Sequence, residues 1–552
     1  MGSWPNDDGF DTEYEQTSPV ELNVKGDIPA YAAGVLYRTG PLGYKVETSK
    51  GKTWHAGHWF DGLSAVHRFQ IDAPQNGSVQ VTYRSRRIVD ELIENIRKTG
   101  TRDGITFGAK RDPCKSIFNK VMTSFSQGRA IPNVGVTLSV NMPGLSPIDS
   151  ETSSGTSRNS SEINSEAPGL SNGHSSGIKT LHTKTDANPF CKVDPETLEP
   201  LGIAHQSDLH PDLKGPLSSA HAKSDPETGD IYNFNAEFGA QCTYRIFCTS
   251  ASTGKTSILA TFSGTPCYIH SLFLTESYVV LCVWNSHFTN HGISILYNKS
   301  VTESIAPFDS SKPAKWYVID RRHGKGLVST FDSEPFFCFH TVNAWEAPSP
   351  TDPSKTDILA ELHMYDNLDV IHHFYYENIL SSKYNWNKST DCVGYFARFR
   401  LPNVGDGELN ERPGKAEAVY KADKAISGEL PTINPSYLTK PHRYTYGVID
   451  RLKSSFMDGI VKFDSETQTS IIWEEDGHTP GEAIFVGNPK GEKEDDGVLL
   501  TVVLNGHKGE SYLLVLDARD LKEMGRAEVK GPVTFGFHGA HVPGGRRYGG
   551  DI

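Results

Sequence analysis

Cysteine is scarce in this 552-residue chain. Eight are scattered between Cys114 and Cys392, with no CxxC pair among them. That pattern excludes a disulfide framework and reads as a reduced, intracellular protein. No run approaches eighteen apolar residues, so no membrane-spanning helix is expected. The first residues, MGSWPNDDGFDTEYEQ, are acidic and polar rather than a basic segment followed by an apolar one, which excludes a signal peptide. Asn6 stands where a myristoylation pattern needs Ser or Thr. Positive charge is in deficit: the net charge of -13 argues against nucleic acid as a partner. Heptads are missing, and so is any regular alternation of strand and helix patterns.

What remains is a β-rich signal. Short runs dominated by valine, isoleucine and aromatic residues recur along the chain, for example VLYRT (35–39), AVHRFQI (65–71), DIYNFNAEF (230–238), YVVLCVW (278–284), VLLTVVLN (498–505) and SYLLVLDA (511–518). Gly, Asn, Asp and Pro separate them. SDPETGDIY, VDPETLEPLG and FDSETQTSII read as hairpins with polar turns. Many such strands suit a closed β-propeller, whose inner strand ends face one axis. The best helical stretch is 90–100. A second, 112–125, has Asp112 as cap and Pro113 at the first helical position. Its apolar face is either ordinary core or a surface turned to a membrane or substrate entry. Residues 144–178 are rich in Ser, Gly, Asn and Glu and are expected to be a disordered loop. The chain thus divides into a flexible acidic terminus (1–20) and a single domain (21–552) that the loop interrupts.

Four histidines stand far apart in apolar or small-residue settings: His221 in SSAHAKSDPETG, His270 in PCYIHSLFLTESY, His340 in EPFFCFHTVNAWE and His538 in TFGFHGAHVPG. Such spacing is no local metal motif, but propeller blades could bring them together. Neutral imidazole suits first-row divalent metals; zinc favours tetrahedral sites, whereas iron with four histidines keeps open positions for dioxygen. The chain has 21 histidines, so other candidates exist. His55, His58 and His67 form an N-terminal group, His541 is a possible substitute for His538, and His442 suits a loop. Adjacent His372 and His373, read as strand, would point oppositely. Ligating imidazoles usually donate their second N–H to a carboxylate. Asp186, Glu429 and Glu482, each in an apolar or tight context, are candidates for that role.

The chain resembles the carotenoid cleavage oxygenase family from about residue 20 to its end. The matching segments, in order, are GHWFDG (57–62), DPETLEPLG (194–202), AHAKSDPETGDIY (220–232), HSLFLTES (270–277), FFCFHTVNAWE (336–346), ELPTINP (429–435), GEAIFV (481–486), EDDGVLL (494–500) and GFHG (536–539). The resemblance implies an all-β, seven-bladed propeller with a helical and loop cap over a central iron site. It implies Fe(2+) held by His221, His270, His340 and His538, with Asp186, Glu429 and Glu482 behind them. The family generally has Glu where this chain has Asp186, so a longer or water-mediated hydrogen bond is expected there.

The implied reaction is dioxygen cleavage of a conjugated C=C bond, in a carotenoid or apocarotenoid such as torulene or β-carotene, giving two carbonyl products. An alternative is the stilbene-cleaving branch, whose phenol-binding tyrosine and lysine are replaced here by Lys110 and Thr185, with Lys184 nearby. Retinoid isomerisation and a non-catalytic binding propeller are further alternatives. The implied partners are an apolar polyene and O2. The DPCK segment resembles a membrane-contacting loop of the carotene and retinoid branch, which implies a cytoplasmic protein with peripheral contact to membranes or lipid bodies. Nothing in the chain specifies an oligomeric state.

Overall fold

Four hairpins repeat one turn. In each, an aspartate ends or directly follows a strand, and its main-chain carbonyl accepts from the N–H four residues on: Leu198 to Asp194, Gly229 to Asp225, Gln468 to Asp464 and Leu521 to Asp517, all at 2.9 Å. The accepting residue is followed by two polar backbone groups that its carboxylate caps, as Asp194 does for Glu196 N and Thr197 N and Asp225 for Glu227 N and Thr228 N. The fifth residue takes a positive φ of 55–75° in every copy. Three of these turns are the polar hairpins expected from the DPET and DSET motifs.

The computed structural model describes residues 4–74, 77–109, 131–145, 178–239, 241–383, 392–405 and 412–544. Their strands form seven sheets of four to six strands, the blades of a β-propeller, plus a two-stranded ribbon. Counted along the chain, the blades start from inner segments at Gly539–Pro543, Thr137–Val140, Leu217–Ser218 with Lys223–Ser224, Phe273–Leu274, Phe337–Pro348, Glu429–Thr432, and His478–Pro480 with Ile484–Gly487. Both chain ends close the ring. Gly539–Pro543 pairs with Gly34–Pro41 inside the first blade, and Asn23–Gly26 pairs with Glu523–Glu528 outside the seventh. The seam is thus tied by strand pairing in both the first and the seventh blade.

Two expectations need revision, and two fall outside the described residues. Within the terminus 1–20, expected to be flexible, the stretch from Trp4 to Phe10 is packed, whereas Thr17, Ser18 and Pro19 are exposed. Phe10 is 1% exposed and lies edge-on to Trp59, Tyr376, Phe456 and Phe535, with ring centroids 4.8–6.2 Å apart. Trp4 Nε1 donates to Thr479 Oγ1 and Asn6 Nδ2 to Ser455 Oγ. Average acidity misled because Asp7 caps Ser381 and Ser382 while its apolar neighbours turn inward. His372 and His373 end a short helix, Asp369–His373, and not a strand. The helix expected at 90–100 is present as Asp90–Thr99, ended by left-handed Gly100. The expected helix at 112–125 and all but the ends of the expected loop at 144–178 lie outside the described residues.

Candidate metal centre

Each of the four histidines sits where an inner strand is interrupted or begins. His221 lies between Leu217–Ser218 and Lys223–Ser224, which pair with the same neighbouring strand. His270 precedes Phe273–Leu274, and His538 precedes Gly539–Pro543. His340 lies inside Phe337–Pro348, where pairing slips between Cys338 and Thr341. Such irregularities re-aim a side chain that regular pleating would lay against a sheet face. The three acids come from the remaining blades. Glu429 opens the sixth inner strand, Glu482 lies between the two inner pieces of the seventh, and Asp186 follows Leu181–Lys184 of the second. All seven blades therefore contribute one residue each.

One ring nitrogen of each histidine lies within 4.8 Å of those of the other three. His538 Nε2 is 3.0 Å from His221 Nε2 and 3.2 Å from His340 Nε2. Three rings are fixed from behind: His270 Nδ1 lies 2.7 Å from Asp186 Oδ2, His340 Nδ1 2.6 Å from Glu429 Oε2, and His538 Nδ1 2.7 Å from Glu482 Oε1. A carboxylate acceptor makes Nδ1 the donor, so each Nε2 presents a lone pair to the centre. Such lone pairs repel unless a cation sits among them, and the donor set fits a divalent first-row metal. The shorter Asp186 reaches His270 directly, because its main chain is tied to the neighbouring blade by Ser218 N.

Electrostatics favour the ligand form. Burial first, then the neighbouring imidazoles, hold His221 and His538 well below the ordinary histidine pKa. Burial brings His340 down to about 4 against the opposing pull of Glu429. Burial raises Glu429, but His340 and His363 outweigh it and keep that carboxyl below its usual range. Burial pushes Glu482 up to about 7, with the Arg38 guanidinium opposing. A cation among the imidazoles acts in the same sense as Arg38.

Two cavities meet at the histidines. The larger, about 390 Å³, is walled by Phe60, Phe107, Phe339, Phe374, Phe537, Met457 and other apolar side chains, and His270, His340 and His538 form part of its wall. The smaller, about 80 Å³, runs among the inner strands and is bordered by His221, His340 and His538. Thr185 lines the large cavity whereas Lys184 lines the small one. The lysine next to the stilbene-branch position therefore faces away from the apolar chamber. Lys110 lies outside the described residues.

The other histidine candidates lie away from this cluster. His541 Nε2 bonds Ala32 O, His58 Nε2 bonds Ile371 O, His67 Nδ1 bonds Tyr83 OH, and His442 Nε2 pairs with Glu361; His55 is exposed. Sequence reasoning missed a further layer, in which Tyr268 OH donates to Asp186, Tyr365 OH to Glu429 and Arg38 Nη1 to Glu482. Only Tyr268, two residues before His270, carried any local signal.

Residues 9–543 match the family model described as retinal pigment epithelial membrane protein. The chain is 41% identical to a carotenoid dioxygenase of Neurospora crassa, over 98% of this chain and 92% of that one. It is 41% identical to a torulene dioxygenase of Gibberella fujikuroi, over 98% and 94%. Identity to the mouse beta,beta-carotene 15,15'-dioxygenase is 28%, over 96% and 90%. The cobalt-substituted apocarotenoid oxygenase of Synechocystis superposes with a TM-score of 0.71 at 20% identity, covering 98% of this chain and 100% of that one, so the propeller is shared. With matched residues running from the N-terminal turn to the last inner strand, this chain belongs to the retinal pigment epithelial membrane protein family, the carotenoid oxygenase family its motifs resemble.

Proposed function

We propose that the protein is a non-haem iron dioxygenase that cleaves a conjugated C=C bond of a carotenoid or apocarotenoid. The observation that carries this reading is the convergence of four imidazoles, three of them buried at the wall of one large apolar chamber, with His221 completing the set from the smaller cavity. The names of the fungal and animal relatives support the substrate class. His221, His270, His340 and His538 would hold Fe(2+), with Asp186, Glu429 and Glu482 orienting three of them. When bound, ferrous iron supplies the one-electron chemistry that lets dioxygen react with a closed-shell alkene.

The protein's own residues bind, place and shield. Phenylalanine rings on several sides bury a flat polyene, and burial of its apolar surface provides the driving force. The depth to which the chain slides sets which double bond lies beside the histidines. Asp61, on the same wall, is taken by Arg102 and by the N–H groups of Phe107 and Gly108; Asp186 and Glu429 are taken by histidines. These wall carboxylates thus serve structure rather than proton transfer to substrate.

Anaerobic loading with Fe(2+), followed by β-carotene, torulene, apocarotenals or resveratrol in detergent under O2, tests the reading. Two carbonyl products whose masses sum to a polyene plus O2 are expected. Cleavage of resveratrol alone, or isomerisation without O2 uptake, would overturn it.

Access to the chamber supports a membrane-facing mouth. The helix Ile293–Asn298 turns Ile295 into the cavity wall while Ile293 and Leu296 stand about half exposed, beside exposed Tyr297 and Ile105. Apolar side chains grouped at a pore rim suit insertion among lipid chains. The double variant Ile293→Asp/Leu296→Asp is expected to lose most co-sedimentation with lipid vesicles while keeping activity on detergent-dispersed substrate. Unchanged sedimentation would count against the surface.

A further inference from the structure

Each of the three carboxylates accepts from three kinds of donor: a histidine, a main-chain N–H and one further side chain. For Asp186 the latter two are Ala220 N and Tyr268 OH, and for Glu429 they are Leu430 N and Tyr365 OH. For Glu482 they are Gly539 N and Arg38 Nη1. Two of the outer donors are neutral phenols; the third is a guanidinium, which stays charged at every accessible pH.

Arg38 is built in rather than merely nearby. Its side chain is 3% exposed, and Nη1 also bonds Glu482 O at 2.9 Å. Glycines make its slot: a Cβ at Gly539 would lie 2.6 Å from Arg38 Cδ, and one at Gly481 3.2 Å from Nη2. Gly481 and Gly539 flank Glu482 and His538 in sequence, so the GEAIFV and GFHG motifs form the slot as well as the site. A separate small void beside Arg38 and Gly481 is bordered by His67, whose Nδ1 lies on Tyr83 OH.

The hydrogen-bonded set has three carboxylates and one guanidinium. A divalent ion among the imidazoles neutralises it, whereas a trivalent ion leaves one positive charge unbalanced inside an apolar enclosure. We infer that Arg38 sets the charge of the centre to match a divalent ion and so holds bound iron in the ferrous state. This rests on the reading that the four imidazoles hold iron, and the experiment separates the two.

Wild type, Arg38→Lys, Arg38→Gln, Glu482→Gln and the double variant Arg38→Gln/Glu482→Gln are loaded anaerobically with ferrous iron. Iron content is measured, the samples are poised with redox mediators, and the ferric fraction is read by electron paramagnetic resonance. Gln keeps a donor to Glu482 but removes the charge. At the potential where wild type is half oxidised, Arg38→Gln should raise the ferric-to-ferrous ratio about tenfold, as expected for a unit charge at short range in a partly polar interior. That is a shift of about 59 mV for one electron. Glu482→Gln should shift the ratio about tenfold the other way, the double variant should return close to wild type, and Arg38→Lys should stay close to it. If Arg38→Gln leaves an uncompensated carboxylate and does not fold, its effect is read in the Glu482→Gln background, where no unpaired charge remains. An unchanged ratio on removing Arg38 in either background, or an equal shift in Arg38→Lys, would overturn the inference. Wild-type protein that takes up no ferrous iron would instead overturn the underlying site.

Discussion

His340→Ala is expected to release its iron on dialysis and to lose cleavage activity by more than about 100-fold, since loss of an outer carboxylate alone typically costs 10–100-fold. The size of the effect follows from the position of this ring. His340 borders both cavities, so its truncation removes a donor and opens the apolar chamber toward the smaller one. It also leaves Glu429 buried without its imidazole partner, although Tyr365 OH and Leu430 N still donate to it. Metal analysis with circular dichroism separates loss of iron from loss of fold. Retention of full iron and full turnover would remove His340 from the ligand set.

The same experiment on Asp186 should give a graded result. Asp186→Ala is expected to weaken iron binding by about 10–100-fold, the range for residues that orient a ligand. Asp186→Glu should cost less. Its extra methylene must find room where Tyr268 OH and Ala220 N already donate at 2.8 and 2.9 Å.

Phe10→Ala is the largest stability change expected outside the site. Removing a fully buried phenylalanine costs about 3–5 kcal/mol. Phe10 touches aromatic rings that belong to several parts of the chain, and one of them, Trp59, lines the apolar cavity. Gly9 cannot supply a replacement, because a Cβ there would lie 2.3 Å from the Phe535 ring. A protein of 60.8 kDa is prone to irreversible unfolding, so the unfolding rate in urea and the apparent melting temperature at fixed scan rate are the useful measurements. A change within about 0.5 kcal/mol, the usual range for surface positions, would mean that the N-terminal segment is not anchored in solution.

Much of this protein was legible along the chain, because the relevant physics is local. Alternating apolar runs mark strands, and an aspartate followed by polar residues marks the turns that join them. The histidines and acids stand in short motifs that can be recognised one at a time. Tertiary structure decided the rest. His221 and His538 are 317 residues apart and meet only because seven blades close on one axis. The interruption or start of an inner strand, rather than its composition, aims each ring inward. Closure of the ring turned an acidic terminus into packed core and sent Lys184 and Thr185 to different cavities. It also brought Arg38, an ordinary residue of an ordinary strand, against Glu482, which is 444 residues away. Sequence determined which chemistry the chain could carry, because side-chain identity is local. The fold decided which groups share that chemistry, because charge and coordination depend on distances that only the closed ring sets.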